Sequence, residues 1–297
     1  MGREENKEIF QDTEKLCRTN PALIQAWKSS SEKQKLILEN EAVIYEKQIY
    51  ETPTKVIVSK KRTFEAAMDY QEKKVAVLNF ASASNPGGGV VNGSSAQEEC
   101  LCRCSTLYCN LTEDFMWKNF YQPHRHAANP IHNDDLIYTP DVVIFKSDTP
   151  YPRLLPQNKW AKVNVITCAA PNLRERPSNA FNTGDGNQAV KISPAQLEQI
   201  HIQRGRKILA TAAANKNEVI ILGAFGCGAF MNNPEIVANA YTKLIKEFKN
   251  AFKVIEFAIY CSPRDDSNFR IFSDRIKELL IVKYKKQEHN RRCYIPA

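Results

Sequence analysis

The most informative stretch of this chain is Asn85-Pro86-Gly87-Gly88-Gly89-Val90-Val91-Asn92-Gly93-Ser94-Ser95-Ala96-Gln97-Glu98-Glu99. Three consecutive glycines allow the backbone to approach a ligand closely, because no side chain stands in between. A glutamine and two adjacent carboxylates follow within the same short loop. The stretch therefore combines a backbone surface for a ligand with groups that can transfer protons.

Strands rich in Val and Ile alternate with helices on both sides of this stretch. We predict strands at Lys55–Ser59, Val75–Phe80, Val142–Phe145, Val163–Cys168, Val219–Leu222 and Val254–Tyr260. We predict helices at about residues 95–109, 195–214, 235–248 and 266–281. This alternation is typical of an α/β sandwich. In open sheets of this kind, ligands bind in the crevice beyond the carboxyl ends of the strands.

The first 50 residues have a different pattern, which is polar and rich in helix formers. Apolar residues recur at roughly helical spacing within Ser31–Tyr45, which predicts a helix there. We therefore expect a helical accessory region over residues 1–50, packed on a main domain over residues 51–297.

A second glycine-containing loop, Gly223–Phe230, follows the predicted strand Val219–Leu222. A helix is expected to begin near Asn233-Pro234. Backbone N–H groups of such a turn, with a helix N-terminus behind them, can bind phosphate. A tight strand-to-helix turn explains this loop about as well as phosphate binding does. The loop therefore indicates a phosphate site only in combination with Gly87–Gly89. Two such loops suit a diphosphate with a sugar on one side.

The two adjacent carboxylates have different interpretations. Ser95-Ala96-Gln97-Glu98 fits the capping-box pattern, so Glu98 could serve only to cap a helix Ser95–Cys109. Glu99 comes one residue later and cannot cap in the same way. Cleavage of an O-glycosidic bond to ribose needs a proton donor for the leaving oxygen and an activated water. One carboxyl that gives and then takes back a proton can do both.

The composition of this 297-residue chain limits the kinds of partner that it is expected to bind. Its formal net charge is +8, and a basic surface favours anionic partners. Part of this charge lies in the tail Lys283–Arg292, which is either a solvated end or a binding patch. We do not expect direct nucleic-acid binding, although the charge leaves it open. No stretch approaches the ~20 apolar residues of a membrane helix, so we expect no membrane association.

Cysteine and histidine spacing bears on location and metal binding. The charged N-terminus is unlike a secretory signal, and nine cysteines suit a reducing compartment, so we expect an intracellular, cytoplasmic protein. Cys100, Cys102 and Cys104 lack zinc-ligand spacing. His124-Arg125-His126 and His132 are interpreted as surface loop residues. We expect no metal and no cofactor.

Three further stretches carry a family resemblance. Leu78–Gly89 (LNFASASNPGGG), followed by Gln97-Glu98-Glu99 with Arg103 and Ser105 behind it, resembles the bacterial-type poly(ADP-ribose) glycohydrolases. Val165–Asn172 and Leu222–Pro234 also resemble that family, and the similarity spans about residues 35–265. The resemblance implies a three-layer α/β/α macrodomain-like sandwich with a mixed central sheet and an N-terminal helical extension.

The resemblance also implies an activity, the hydrolysis of ribose–ribose bonds in poly(ADP-ribose) to release ADP-ribose without a metal. Glu99 falls on the catalytic acid/base, and Glu98 on the residue that orients the riboses. Asn85 would hold the terminal ribose, Phe230 would pack against the nucleotide, and backbone N–H groups of both glycine loops would hold the diphosphate. The implied substrate-binding set is Asn79, Asn85, Gly87, Gly88, Gly89, Val90, Gln97, Gly223, Ala224, Phe225, Gly226, Cys227, Gly228, Ala229 and Phe230.

Two alternatives stay open. The protein could remove single ADP-ribose units from modified protein or nucleic acid, or it could be a non-catalytic ADP-ribose-binding macrodomain. Intact Gln97-Glu98-Glu99 argues against the second, since a pure binder has no use for a proton donor there. Bacterial-type members of the family resemble exo-acting enzymes. Here the loop Asn179–Asn187 and the N-terminal helical region could form the wall that closes a ribose site.

Overall fold

A seven-stranded mixed sheet forms the centre of the computed structural model, which describes residues 2–180 and 182–292 and side chains up to residue 279. The side chains of the basic tail Lys283–Arg292 therefore lie outside the described residues. The strands are β1 (Lys35–Ile37), β2 (Lys55–Ser59), β3 (Val75–Phe80), β4 (Leu136–Ile144), β5 (Ala161–Cys168), β6 (Val219–Leu222) and β7 (Val254–Ala258). Their spatial order is β1-β4-β5-β3-β6-β7-β2, with antiparallel pairing at β1–β4 and β4–β5 and parallel pairing elsewhere.

Helices cover both faces of this sheet. They are α1 (Arg3–Thr19), α2 (Pro21–Ser31), α3 (Thr63–Ala67), α4 (Gln97–Cys104), α5 (Leu107–Leu111), α6 (Asp114–Met116), α7 (Gln122–Ala127), α8 (Pro194–Ala214), α9 (Pro234–Glu247) and α10 (Ser267–Arg292). Side chains alternate along β3, so that Leu78 packs with α8 and α9 while Val77 packs with α1, α3 and α4. The predicted α/β sandwich with a mixed sheet is confirmed. Among the described residues, no helix is both long and apolar enough to cross a membrane.

Most predicted elements lie where the sequence places them. The predicted bounds of β2, β3 and β6 are those observed, and α9 begins at Pro234 behind an Asn233 N-cap. The predicted strand Val142–Phe145 is only the end of β4, which begins at Leu136. The register shifts between Thr139 and Val142, and Asp141 has a φ of 56°. This bulge divides the apolar pattern and conceals the first half of the strand.

The helix predicted within Ser31–Tyr45 is wrong. Helix α2 ends at Ser31, and Lys35–Ile37 pairs with β4 at the edge of the sheet. Leu36 and Ile37 then pack on opposite faces of the sheet, which a strand permits and a helix does not. The accessory region of residues 1–50 stays a prediction, and its last part, β1, belongs to the central sheet.

The single helix predicted over Ser95–Cys109 is interrupted. Helix α4 ends at Cys104, whose carbonyl accepts hydrogen bonds from the N–H groups of Phe145 and Lys146 at 3.0 and 3.1 Å. Thr106 donates to the carbonyl of Val143 at 3.0 Å before α5 begins. The end of β4 thus replaces the hydrogen bonds that would have continued the helix.

Helix α1 is fastened to the loop that follows the glycine run. The side chain of Asn6 donates to the carbonyl of Gly93 at 3.0 Å, and Thr13 donates to the carbonyl of Arg103 at 2.7 Å. Gly93 has a φ of 74°, and a Cβ there would overlap the carbonyl oxygen of Arg3. Only glycine fits this close approach of α1 without strain.

We expect Gly93→Ala to destabilise the protein by about 1–3 kcal/mol, because alanine is strained at positive φ and would displace the start of α1. The measurement is chemical unfolding followed by circular dichroism. Gly228→Ala is the matched control, since a Cβ at Gly228 meets no atom within 4 Å. Equal stabilities of the two variants would contradict this account of α1 docking.

Candidate active site

The two glycine loops lie side by side, because they follow the neighbouring parallel strands β3 and β6. They line a cleft made of two adjoining cavities. The larger cavity, of about 340 Å³, includes Gln97, Ala224, Phe225, Gly226, Gly228, Ala229 and Phe230 in its walls. The smaller, of about 240 Å³, includes Gly88, Gly89, Glu98 and Glu99. Phe80, Ala96 and Phe230 border both cavities.

Gln97 fastens the start of α4 to the end of β3. Its side-chain oxygen accepts from the N–H of Phe80 at 2.9 Å, and its nitrogen donates to the carbonyl of Leu78 at 2.7 Å and to the Thr63 hydroxyl at 3.0 Å. These three bonds hold the two following carboxylates at the carboxyl end of β3.

Glu98 is turned into the sheet and is only 2% exposed. One oxygen accepts from the amide of Asn79 at 3.2 Å and the other from the N–H of Ser82 at 2.8 Å. The predicted capping box is wrong, because the N-cap is Ala96 and no side chain caps the helix. Burial, reinforced by the neighbouring Glu99, raises the pKa of Glu98 well above its ordinary value.

Glu99 is also buried, but only one of its oxygens is used within the protein. Oε1 accepts from the N–H of Gly89 at 2.9 Å, whereas Oε2 has no hydrogen-bond partner among the described residues. Burial raises the pKa of Glu99, and the N–H of Gly89 opposes part of that effect. Glu99 lines the smaller cavity, and a carboxyl there with a raised pKa and an unpartnered oxygen is suited to donate a proton.

The first glycine loop brings its backbone against these carboxyls. Gly87 and Gly88 have φ of 68° and 59°, and a Cβ at Gly88 would lie 2.6 Å from Oε1 of Glu99. The N–H groups of Gly88, Gly89 and Val90 donate to Asn85, Glu99 and Gly87 at 2.9, 2.9 and 3.2 Å. These three donors are bonded within the protein, and the role of Gly87–Gly89 in holding a diphosphate stays a prediction.

The second glycine loop offers donors that are free. The N–H groups of Gly226, Gly228, Ala229 and Phe230 meet no acceptor within the described parts of the protein. Gly226 has a φ of 78°, and a Cβ at Gly223 would come 2.8 Å from both the Ala258 carbonyl and the Phe80 ring. The loop therefore has unpaired N–H groups of the kind that bind phosphate, as its sequence suggests.

Several predicted site residues support the cleft without lining it. Asn79 is fully buried behind Glu98, Val90 packs in the core beside α1 and α4, and Cys227 packs against the core of the opposite face. Asn85 donates to the carbonyl of Thr183 at 2.6 Å and accepts from Arg125 at 3.0 Å. Its side chain thus connects the first glycine loop to the loop Asn179–Asn187.

The loop Asn179–Asn187 is anchored through Asp185, which is 1% exposed. This carboxylate accepts from Ser84 at 2.5 Å, from Asn172 at 2.8 Å and from Asn182 at 2.9 Å. Burial alone would raise the pKa of Asp185, but its hydrogen bonds and the adjacent His132 lower it to about 2. The loop is therefore attached to the loop after β3 and to Asn172 through a buried carboxylate.

Of the three histidines predicted on surface loops, His126 is exposed on α7, whereas His124 and His132 are buried. His124 lies in α7 and is 8% exposed, with its ring bonded to the carbonyl of Phe120 and the side chain of Asn133. His132 is equally buried and contacts the carbonyl of Ala170 at 2.9 Å. No group of His, Cys, Asp and Glu that could hold a metal occurs among the described residues.

The sequence assigned no site role to Arg174, which lines the smaller cavity. Arg3, Asn179 and Asn182 line it too, and they belong to the two elements that the sequence indicated only as a wall. Arg174 lies directly behind the Val165–Asn172 stretch, at the carboxyl end of a strand next to β3. That position could have indicated Arg174. No local pattern indicates Arg3, which is brought to the site only by the docking of α1.

Comparisons with known proteins agree with this geometry. The family model for the microbial-type PARG catalytic domain matches residues 7–147. No curated protein matches. A solved structure of poly(ADP-ribose) glycohydrolase from Thermomonospora curvata is 27% identical, with a TM-score of 0.79, over 92% of this chain and 99% of that one. The same enzyme bound to the inhibitor ADP-HPD is 26% identical, with a TM-score of 0.75 over the same shares.

A third structure is the Deinococcus radiodurans enzyme in complex with ADP-ribose. It is 31% identical, with a TM-score of 0.72, and the match covers 85% of this chain and 98% of that one. The fold, the cleft and these matches define a macrodomain-like ADP-ribose glycosidase class. The chain belongs to the microbial-type poly(ADP-ribose) glycohydrolase family, and its recognition from sequence is confirmed.

We expect Glu99→Gln to flatten the pH dependence of stability. Because burial raises the pKa of Glu99 above its ordinary 4.5, the folded state binds more protons than the unfolded state between these two values. The free energy of unfolding of the natural protein therefore falls as pH rises through this window. Urea unfolding at several pH values should show the variant gaining relative stability with rising pH. A constant difference would contradict the raised pKa.

Proposed function

We propose that this protein hydrolyses the ribose–ribose O-glycosidic bond of poly(ADP-ribose) and releases ADP-ribose. The observation that carries the proposal is the buried Glu99 carboxyl, which lines the smaller cavity with one oxygen bonded to Gly89 and the other unpartnered. The complex of the Deinococcus radiodurans relative with ADP-ribose supports the same ligand.

In the first step, protonated Glu99 donates its proton to the oxygen of the leaving ribose as the glycosidic C–O bond breaks. The departing bond leaves an oxocarbenium-like ribose, which a water molecule attacks. Glu99, now a carboxylate, takes a proton from that water and returns to its starting form. Glu98, whose two oxygens are held by Asn79 and Ser82, would orient the ribose hydroxyls beside it.

The nucleotide part of the substrate would lie along the second glycine loop. The free N–H groups of Gly226, Gly228, Ala229 and Phe230 suit the diphosphate, and the half-buried ring of Phe230 borders both cavities. The larger cavity would then take the nucleoside. A bound diphosphate would also favour the protonated form of Glu99, because negative charge nearby raises the pKa of a carboxyl.

We expect Glu99→Gln to lower the rate of poly(ADP-ribose) hydrolysis by about 10²–10⁴-fold or more, because one group serves both proton transfers. The amide keeps the shape of the side chain, so the affinity for ADP-ribose should change little. Product release and calorimetric binding are the two measurements. Substantial turnover by this variant would remove Glu99 from the role of acid/base.

Glu98→Gln is the matched control. Its new NH₂ group would face donors from Ser82 or Asn79, so the ribose pocket should distort and affinity should fall as well as rate.

A second experiment separates the proposed function from its alternatives. Hydrolysis of purified poly(ADP-ribose) is compared in parallel with release of ADP-ribose from mono-ADP-ribosylated protein. If only the mono-ADP-ribosylated protein is consumed, the protein is a mono-ADP-ribosyl hydrolase. If neither substrate is consumed, the protein binds ADP-ribose without cleaving it.

We further propose that cleavage takes place at the chain terminus. Arg3 of α1 lies on one side of the smaller cavity, and Asn179 and Asn182 of the anchored loop lie on another. Both elements are fastened to the loop after β3, through Asn6 in one case and Asp185 in the other. A cavity walled in this way suits a terminal ribose better than the middle of a chain.

With long poly(ADP-ribose), the early products should therefore be mostly free ADP-ribose. Asn6→Ala, which removes the bond between α1 and Gly93, should raise the share of medium-length oligomers. Chromatography of products at low conversion measures both effects. If the natural protein forms a ladder of oligomers before monomer, the site is open and cleavage is internal.

A further inference from the structure

Arg174 has a defined place beside the candidate reaction centre. It belongs to the segment after β5 and lines the smaller cavity together with Glu98 and Glu99. The N–H of its neighbour Leu173 donates to the carbonyl of Phe230 at 3.0 Å, which joins this segment to the second glycine loop. The guanidinium lies 5.6 Å from the centre of the Phe230 ring. Arg174 thus shares a cavity with the two carboxyls and lies beside Phe230, the last residue of the second glycine loop.

The direction of this guanidinium is set by buried groups. Its Nε donates to the side-chain oxygen of Asn172 at 3.0 Å, and a terminal nitrogen donates to the carbonyl of Pro177. Asn172 is itself fully buried and donates to Asp185 at 2.8 Å. Because both anchors are rigidly held, the remaining N–H groups of Arg174 are presented in one orientation with little conformational freedom left to lose.

No carboxylate is in direct contact with Arg174 within the described residues. The nearest electrostatic partner is Asp185, which reaches Arg174 only through the side chain of Asn172 and is itself bonded to Ser84 and Asn182. Partial burial lowers the pKa of Arg174, since a cation loses solvation in the cleft, and Asp185 opposes part of that effect. A half-buried, oriented cation with no directly bonded carboxylate is a site for an anion.

The backbone narrows the choice of anion. Donors of the first glycine loop are used by Asn85, Glu99 and Gly87, so they leave an anion unsupported on that side. Donors of the second loop are free and end at Phe230, against which Arg174 is placed. We propose that Arg174 binds the diphosphate of the ADP-ribose unit held in the site, opposite the N–H groups of Gly226–Phe230. This assignment rests on the proposed function.

The test is calorimetric binding of ADP-ribose and of adenosine to the natural protein and to Arg174→Met. We expect the variant to bind ADP-ribose about 10- to 100-fold more weakly, as for loss of charge-assisted hydrogen bonds, and adenosine as before. Increasing salt should weaken ADP-ribose binding more in the natural protein than in the variant. Arg153→Met, which removes the same charge from an exposed position, should leave both affinities unchanged.

Arg174→Gln is the second variant, since its amide can still donate to Asn172 and preserve the loop. Unchanged ADP-ribose affinity and salt dependence in either folded variant would overturn the assignment. An equal loss for adenosine and ADP-ribose would also overturn it, because the residue would then only shape the cleft. Failure of the natural protein to bind ADP-ribose and to hydrolyse polymer would instead count against the proposed function.

Discussion

The hydrogen bond between the Glu99 carboxyl and the N–H of Gly89 is the contact on which the rest of the site depends. It requires Gly87 and Gly88 at positive φ, and it requires that Gly88 carry no side chain, since a Cβ would reach the same oxygen. It also requires α4 to begin where Gln97 is fastened to Leu78 and Phe80. The first glycine loop, the end of β3 and the start of α4 therefore hold one another in position. The second oxygen of Glu99 is left without a partner by this combined geometry.

Burial of two adjacent carboxyls disfavours their charged forms, and this affects the charged residues that lie around them. Desolvation raises the pKa of both Glu98 and Glu99, so the region favours protonated acids over carboxylates. Arg3 and Arg174 line the same cavity, and Asp185 lies buried one layer further out with its charge held by His132 and three polar side chains. Two carboxyls with raised pKa values beside cations form the arrangement that an anionic nucleotide completes, and this links the chemistry of cleavage to substrate binding.

Much of the fold could be predicted because its strands have strong local signals. Strands β3 and β6 are short Val/Ile runs buried between two helical layers, and β2 is a similar run, half-buried at the edge of the sheet, so composition alone delimits all three. The segment Lys35–Ile37 was not predictable in this way, since its helical spacing is overridden by pairing with β4. Glu98 was misread for a related reason. A capping box satisfies donors locally, but here the helix begins one residue later and the carboxyl finds donors on β3 and at Ser82.

The sequence by itself determined the α/β class and the pairing of two glycine loops after strands, and its family resemblance indicated Glu99 as the proposed acid. These follow from contiguous residues, whose spacing dictates local geometry. Only the tertiary structure decided which N–H groups remain free, that Asn85 bonds to the loop Asn179–Asn187, and that Arg3 and Arg174 meet the carboxyls. Those contacts join residues that are distant along the chain. They arise from the packing of α1 and from the buried hydrogen bonds of Asp185, and no local sequence pattern predicts them.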